Sequence, residues 1–122
     1  MNVTFVEAVG FTRRVRDKLD DADYRRFQSE LLENPEQWGA MPGCGGLRKA
    51  RWAERGRGKG KRSGVRVIYL WIPDACRIDL LDIYGKDEKD DLTAAEKKAL
   101  AALAKTAKRE ATAAYRRSRG ER

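Results

Sequence analysis

Apolar and polar positions near the start of the chain first alternate and then adopt a helical spacing. Residues 2–6, NVTFV, are rich in β-forming side chains and predict a short strand. From residue 7 onward, apolar side chains recur every three or four positions, which predicts an amphipathic helix. Those side chains are Ala8, Phe11, Val15 and Leu19.

A second helix is predicted directly after the first. Asp20 and Asp21 stand at its start, where acidic side chains complement the positive end of the helix dipole. Tyr24, Phe27 and Leu31 share one face. Asn34 ends the helix because the residue before a proline is pushed out of helical geometry. Residues 35–46 then form a connection rich in glycine and proline, in which Trp38 is interpreted as a lid over the core.

Three strands are predicted next, at residues 46–53, 64–72 and 76–85. In the first of them, strict alternation puts Lys49 and Arg51 side by side on one face. Leu47 shares that face, and the opposite face carries Arg48, Ala50 and Trp52.

The second of these strands is apolar on both faces from Val67 onward, which indicates a central strand covered on both sides. Arg66 interrupts the apolar pattern near its start. The short turn PDA between the second and third of these strands demands an antiparallel hairpin.

An alanine-rich helix closes the chain, and Thr93 and Glu96 at its start have the spacing of a capping box. The predicted order is therefore β-α-α-β-β-β-α. This is an α+β domain with a small, mostly antiparallel sheet, two N-terminal helices and one C-terminal helix. We expect a single domain over residues 1–122, with residues 108–122 a basic, frayed extension.

Charge is distributed unevenly along the 122 residues. The chain carries 27 basic and 19 acidic side chains, a net charge of +8. The first 44 residues contain six basic and eight acidic side chains, so the remainder has a net charge of +10. A lopsided cationic half favours a polyanionic partner, with nucleic acid ahead of an anionic membrane surface. The final helix offers mostly alanine opposite its basic side chains, which is not typical of a membrane-surface helix.

Other features of the sequence narrow the function classes. No segment approaches the roughly 20 apolar residues of a membrane helix, and the N-terminus lacks a secretory pattern, so a cytoplasmic protein is expected. Cys44 and Cys76 have no CxxC spacing, and the chain contains no histidine. We therefore expect ordinary thiols, no metal site and no cofactor.

The motifs of residues 45–93 resemble the RelE/HigB superfamily of bacterial type II toxins, and the HigB branch most closely. The resemblance is carried by GGLRKARW, a basic glycine-containing loop, GVRVIYLW, a tight turn, and LLDIYGKDEKDDLT before the last helix. It covers roughly residues 2–107. It implies a RelE-like fold and an mRNA interferase that cuts mRNA in the ribosomal A site. It also implies a cognate antitoxin as partner, with a helix-turn-helix domain expected there.

Four basic residues correspond to basic positions of the superfamily. Lys49 and Arg51 match its paired basic residues on the second strand, and Arg66 matches its arginine at the start of the third. Lys86 matches a lysine after the fourth strand, although Asp87 follows where some members have a basic residue. Some members also use histidines for proton transfer, and this chain has none.

RNA is cut without metal when its own 2′-hydroxyl attacks the adjacent phosphorus. Arg66 and Arg51 are the candidates for stabilising the phosphate oxygens, because a guanidinium stays charged and presents a planar fork. Lys49 and Lys86 are the candidates for moving protons. Tyr84 could stack on a base or relay a proton, or it could be a packing residue. Arg66 could instead form a structural pair with an acid such as Asp79 or Asp82.

A second set of basic residues is predicted to bind the RNA or ribosome backbone without taking part in the chemistry. This set contains Arg48, Arg55, Arg57, Lys59, Lys61 and Arg62. The alternative for the loop is a solvated connection that keeps a basic protein in solution.

Two other function classes stay open at this point. One is a toxin of related fold that binds DNA gyrase. The other is a non-catalytic RNA-binding module, which would ordinarily show exposed aromatic side chains on a sheet or a polar recognition helix. Lys49, Arg51 and Arg66 together favour the nuclease.

Overall fold

The computed structural model has the element order that the sequence predicts, and it describes residues 2–52 and 64–120. The strands are β1 (Thr4–Glu7), β2 (Arg48–Trp52), β3 (Val65–Ile72) and β4 (Arg77–Gly85). The helices are α1 (Val9–Lys18), α2 (Asp21–Glu33) and α3 (Ala94–Ser118). The predicted α+β class and the order β-α-α-β-β-β-α are confirmed.

The four strands form one sheet in the order β1-β4-β3-β2. β3 lies between β2 and β4 and is antiparallel to both, whereas β1 pairs with β4 in parallel. The hairpin between β3 and β4 turns through a short 3₁₀ segment, Pro73–Ala75, and Cys76 then adopts a left-handed conformation with φ of 49°. The predicted mostly antiparallel sheet is confirmed, with one parallel pair at its edge.

Helices cover both faces of the sheet and bury an apolar layer on each side. Helices α1 and α2 pack on one face, where Phe11, Phe27 and Leu31 are fully buried. Helix α3 packs on the other face. Val67 and Ile68, which point to opposite faces of β3, are both fully buried, so the prediction of a covered central strand is confirmed.

Local sequence signals determine where the helices begin and end. The carboxylate of Asp20 accepts a hydrogen bond of 2.7 Å from the backbone N–H of Asp23 and caps α2. At the start of α3, Thr93 Oγ1 accepts from the N–H of Glu96 at 3.1 Å, and the Glu96 carboxylate accepts from the N–H of Thr93 at 2.8 Å. The predicted capping box is confirmed. Helix α3 continues to Ser118 with Ala111 buried, so residues 108–118 are helical.

A β-bulge interrupts the pairing of β3 and β4. Tyr69 pairs with Leu80, but the preceding residue Ile68 pairs with Asp82, so Leu81 is an extra residue in β4. Before the bulge, Leu80 packs against α1 and α2; after it, Tyr84 packs on the α3 side. The bulge therefore reverses which side chains of β4 point to each face of the sheet after Leu81. As a result, Tyr84 lies beside Arg66.

Candidate active site

A row of three candidate residues crosses the sheet on the face that α3 covers. In the pairing register, Arg51 of β2 lies opposite Arg66 of β3, and Arg66 lies opposite Tyr84 of β4. Residues directly opposite each other on neighbouring strands point to the same face. Three of the five predicted catalytic residues are thus brought together, and we call Arg51, Arg66 and Tyr84 the arginine row.

The guanidinium of Arg66 finds no carboxylate within the described residues. Its Nη1 donates a long hydrogen bond of 3.5 Å to the backbone oxygen of Val65. The two acids that could have formed a structural pair with it are bound elsewhere: Asp79 accepts two hydrogen bonds from Arg77, and Asp82 accepts one from Arg14 at 2.9 Å. Neither of these two described acids therefore forms a structural ion pair with Arg66.

Arg51 adds a second positive charge directly opposite the first. Its side chain is exposed, and Arg66 is partly buried. Like charges directly opposite each other on paired strands are destabilising, and neither arginine forms an ion pair with an acid among the described residues. Two guanidinium groups in this arrangement form a site that an anion with several oxygens would stabilise.

Tyr84 differs from the two arginines because it is buried. The residue is 1% exposed, and its hydroxyl makes no hydrogen bond to any part of the chain that the structure describes. The ammonium of Lys89 lies 4.9 Å from the centre of its ring. Burial, and next the negative charge of Asp91, raise the pKa of Tyr84, so the phenol stays protonated. These observations favour the packing role for Tyr84.

Lys49 lies on the same face as the arginine row, two residues before Arg51. Its ammonium is 3.3 Å from Oδ1 of Asp91, and its side chain is 19% exposed. Oδ2 of Asp91 is 3.3 Å from the ammonium of Lys97. Sequence reasoning missed Asp91, although the run of acids before the capping box places a carboxylate at the start of α3.

Lys86 lies at the same end of the sheet as the arginine row. Its backbone N–H donates a hydrogen bond of 3.0 Å to the oxygen of Gly64, which places it beside the start of β3. Its side chain is exposed. This position leaves the ammonium available to a bound molecule.

The predicted RNA-binding residues fall into two groups. Arg48 lies on the opposite face of β2 from Lys49, where its guanidinium donates to the backbone oxygens of Trp38, at 2.7 Å, and Glu36. The structure thus places Arg48 on the opposite face from Lys49 and Arg51. The remaining predicted residues lie outside the described part of the chain. They are Arg55, Arg57, Lys59, Lys61 and Arg62.

Two further features concern ligands and membranes. Among residues 2–52 and 64–120, no cluster of three or more histidine, cysteine or acidic side chains is arranged to hold a metal ion. No helix in the same residues has both the length and the apolar composition needed to cross a membrane.

Comparison with known proteins shows the fold. No family model matches the chain. A free E. coli toxin RelE, in a double arginine-to-alanine mutant, is similar in structure with a TM-score of 0.51 and 16% sequence identity, covering 74% of this chain and 90% of RelE. A chain of the intact E. coli RelBE toxin-antitoxin complex gives a TM-score of 0.51 at 17% identity, covering 69% of this chain and 96% of that one. The chain therefore has a RelE-like fold, as predicted, and the HigB branch stays a prediction.

Proposed function

We propose that this chain is the toxin of a type II toxin-antitoxin pair and an endoribonuclease that cuts mRNA on the ribosome. One observation carries the proposal: Arg51 and Arg66 face each other across two strands without a compensating carboxylate in the described residues. The fold gives independent support, because the similar E. coli proteins are a toxin and a toxin-antitoxin complex. Fold alone does not define an activity, so the site carries the argument.

The proposed reaction uses the 2′-hydroxyl of the RNA as nucleophile. Its oxygen forms a bond to the adjacent phosphorus while the bond from phosphorus to the 5′ oxygen breaks. The products are a 2′,3′-cyclic phosphate and a free 5′-hydroxyl. Arg51 and Arg66 bind the non-bridging oxygens, where negative charge increases in the transition state.

Two protons must move in this reaction. One passes from the 2′-hydroxyl to an amine in its neutral form, and one passes from an ammonium group to the departing 5′ oxygen. Lys49 and Lys86 are the two lysines that we propose for these transfers. Tyr84 is buried and is interpreted as a packing residue, so no proton transfer is assigned to its hydroxyl. No metal is needed for the charge stabilisation that two guanidinium groups supply.

The structure also bears on the non-catalytic RNA-binding alternative. Such a module would present aromatic side chains on an open sheet face. Here Trp52, Tyr69 and Tyr84 are buried beneath helices, and both faces of the sheet are covered. This favours a function at the sheet end, where the basic residues lie.

The decisive experiment incubates the purified chain with an mRNA, with and without translating ribosomes, and maps cleavage by primer extension. We expect cleavage only with ribosomes, and 2′,3′-cyclic phosphate ends. Cleavage should survive a chelator that removes transition metals but leaves ribosomal Mg²⁺ in place.

Other outcomes point elsewhere. Inhibition of gyrase supercoiling without RNA cleavage would support the gyrase-binding alternative, and RNA binding without either activity would support the binding module. A cognate antitoxin should be encoded beside this chain. Its co-purification with the chain and suppression of cleavage would establish the pair, and both partners are expected in the cytoplasm with the ribosome.

A further inference from the structure

The carboxylate of Asp91 joins the start of α3 to the candidate active site. Oδ1 accepts a hydrogen bond from the ammonium of Lys49 at 3.3 Å and another from the backbone N–H of Leu92 at 2.7 Å. Oδ2 accepts from the ammonium of Lys97 at 3.3 Å. Asp91 and Lys49 are 42 residues apart in sequence, so the fold alone brings them together.

The backbone fixes the position of this carboxylate. Leu92, which donates to it, is buried, and the next residue, Thr93, is held by the capping box with Glu96. The N–H of Leu92 is the main cause that lowers the pKa of Asp91 to about 2, and the ammonium groups of Lys49 and Lys97 add to it. Asp91 is therefore ionised at any pH at which ribosomes work.

A contribution to folding stability does not explain why a carboxylate stands at this position. The Asp91 side chain is 46% exposed, and ion pairs this open to water contribute little to folding. A negative charge beside the arginine row also opposes the binding of phosphate. What Asp91 does supply is a fixed acceptor for a long, flexible lysine side chain.

We propose that Asp91 is a positioning residue that holds the ammonium of Lys49 beside the arginine row for its proposed proton transfer at the reacting RNA phosphate. The proposal rests on the proposed nuclease function. Along β2, Lys49 is about 7 Å from Arg51 at the backbone, within reach of the same nucleotide. Orientation of a reacting group affects the rate of the chemical step more than the binding of substrate.

The test compares Asp91→Asn with the wild type on saturating ribosomes. The asparagine keeps an oxygen for the N–H of Leu92 but removes the charge that holds Lys49. We expect kcat to fall about tenfold while KM changes by less than about twofold. Asp90→Asn is the matched control: it removes the same charge from the neighbouring exposed residue, which forms no hydrogen bond or ion pair with Lys49, and it should leave kcat unchanged.

A double-mutant cycle shows whether the effect passes through Lys49. In a Lys49→Ala background, Asp91→Asn should lower kcat no further, because the group that it positions is gone. An equal loss in both backgrounds would overturn the proposal, as would an unchanged kcat in Asp91→Asn alone. Melting temperatures of all variants confirm that the folded enzyme is compared.

A second measurement does not depend on cleavage. NMR relaxation of the Lys49 side chain, assigned by comparison with Lys49→Arg, should show a more mobile side chain in Asp91→Asn than in the wild type. Equal mobility would overturn the holding contact whatever the activity. A wild-type chain that cuts no RNA on ribosomes would overturn the proposed function and the positioning role in catalysis, and this outcome is distinct from the NMR result.

Discussion

Four arginines lie in strands within the described part of the chain, and they differ in what they bind. Arg77 forms two hydrogen bonds with the buried carboxylate of Asp79, and Arg48 binds backbone oxygens of the connection before β2. Arg51 and Arg66 have no acid partner among the described residues. An arginine held in a sheet without a partner is available for a ligand, and its place in a strand fixes its direction.

Replacing Arg66 by alanine should remove charge stabilisation from the transition state. We expect cleavage on saturating ribosomes to slow by about a hundredfold, the scale of losing one preorganised donor. Arg66→Lys should recover little of this loss, because a point charge does not reproduce the planar fork. Single-turnover cleavage measures both variants.

Arg13→Ala is the matched control for charge. Arg13 is exposed on α1, on the far side of the sheet from the arginine row, so its loss should leave the rate within about twofold of wild type. If Arg66→Ala melts at a lower temperature yet cuts at the normal rate when folded, Arg66 is structural and the assignment is wrong.

Tyr84→Phe tests the packing role of the buried phenol. The hydroxyl is buried and makes no hydrogen bond to the described residues, so removing it relieves an unmet desolvation cost. We expect the melting temperature to stay the same or to rise, and cleavage to remain within about twofold of wild type. A loss of tenfold or more in rate without loss of stability would instead show that the hydroxyl acts on the RNA.

At the scale of elements, the features that depend on local sequence were predicted correctly. The contacts between distant residues were not predicted. The capping box of Thr93 and Glu96 involves residues three positions apart, so the sequence contains all of its information. Alternation in β2 likewise separated Lys49 and Arg51 from Arg48. The parallel pairing of β1 with β4 involves segments about 70 residues apart, and no local pattern indicates it.

The face of the sheet on which Tyr84 lies could not be predicted from the alternation of side chains along β4. Strict alternation from Ile78 and Leu80 would place Tyr84 with them, against α1 and α2. The bulge at Leu81 reverses that assignment and puts Tyr84 beside Arg66. Similarly, the contact of Asp91 with Lys49 depends on how α3 docks on the sheet, which the capping box does not reveal.

The ion pair at the start of β4 gives a prediction for this element. Arg77→Ala leaves Asp79, which is 4% exposed, without the partner that neutralises it. We expect the free energy of unfolding to fall by about 3 kcal/mol, measured by chemical denaturation. The site lies about 20 Å away along β4, so the folded variant should cut RNA at the normal rate.

Arg14→Ala provides the comparison, because it breaks an ion pair whose arginine is 52% exposed. Its loss should cost less than about 1 kcal/mol. Equal losses in the two variants would show that burial does not distinguish these pairs.

At the scale of the whole molecule, the fold brings the basic residues of the candidate active site to one end of the sheet. The positive charge is concentrated after residue 44, and the arginine row, Lys49 and Lys86 lie at the end of the sheet where β2 ends and β3 begins. Binding to a ribosome should therefore release counterions from several phosphates at once.

The last prediction is that affinity for ribosomes falls steeply with salt. Each phosphate contact contributes about 0.7 to 0.9 to the slope of log affinity against log salt concentration. The three site residues proposed to act at the phosphate, Arg51, Arg66 and Lys49, and the five basic residues of the predicted loop should therefore give a slope of roughly −6. Replacing the five basic residues of the loop by glutamine should reduce the slope to roughly −2 and weaken binding at low salt. The replaced residues are Arg55, Arg57, Lys59, Lys61 and Arg62.

The same variant separates binding from chemistry. Because the loop is proposed to grip the RNA backbone while Arg51 and Arg66 act on the reacting phosphate, kcat at saturating ribosomes should remain close to wild type. Filter binding at several salt concentrations and single-turnover cleavage measure the two quantities on one preparation. An unchanged slope would mean that the loop is only a solvated connection, and a lost kcat with an unchanged slope would place the chemistry in the loop instead of the strands.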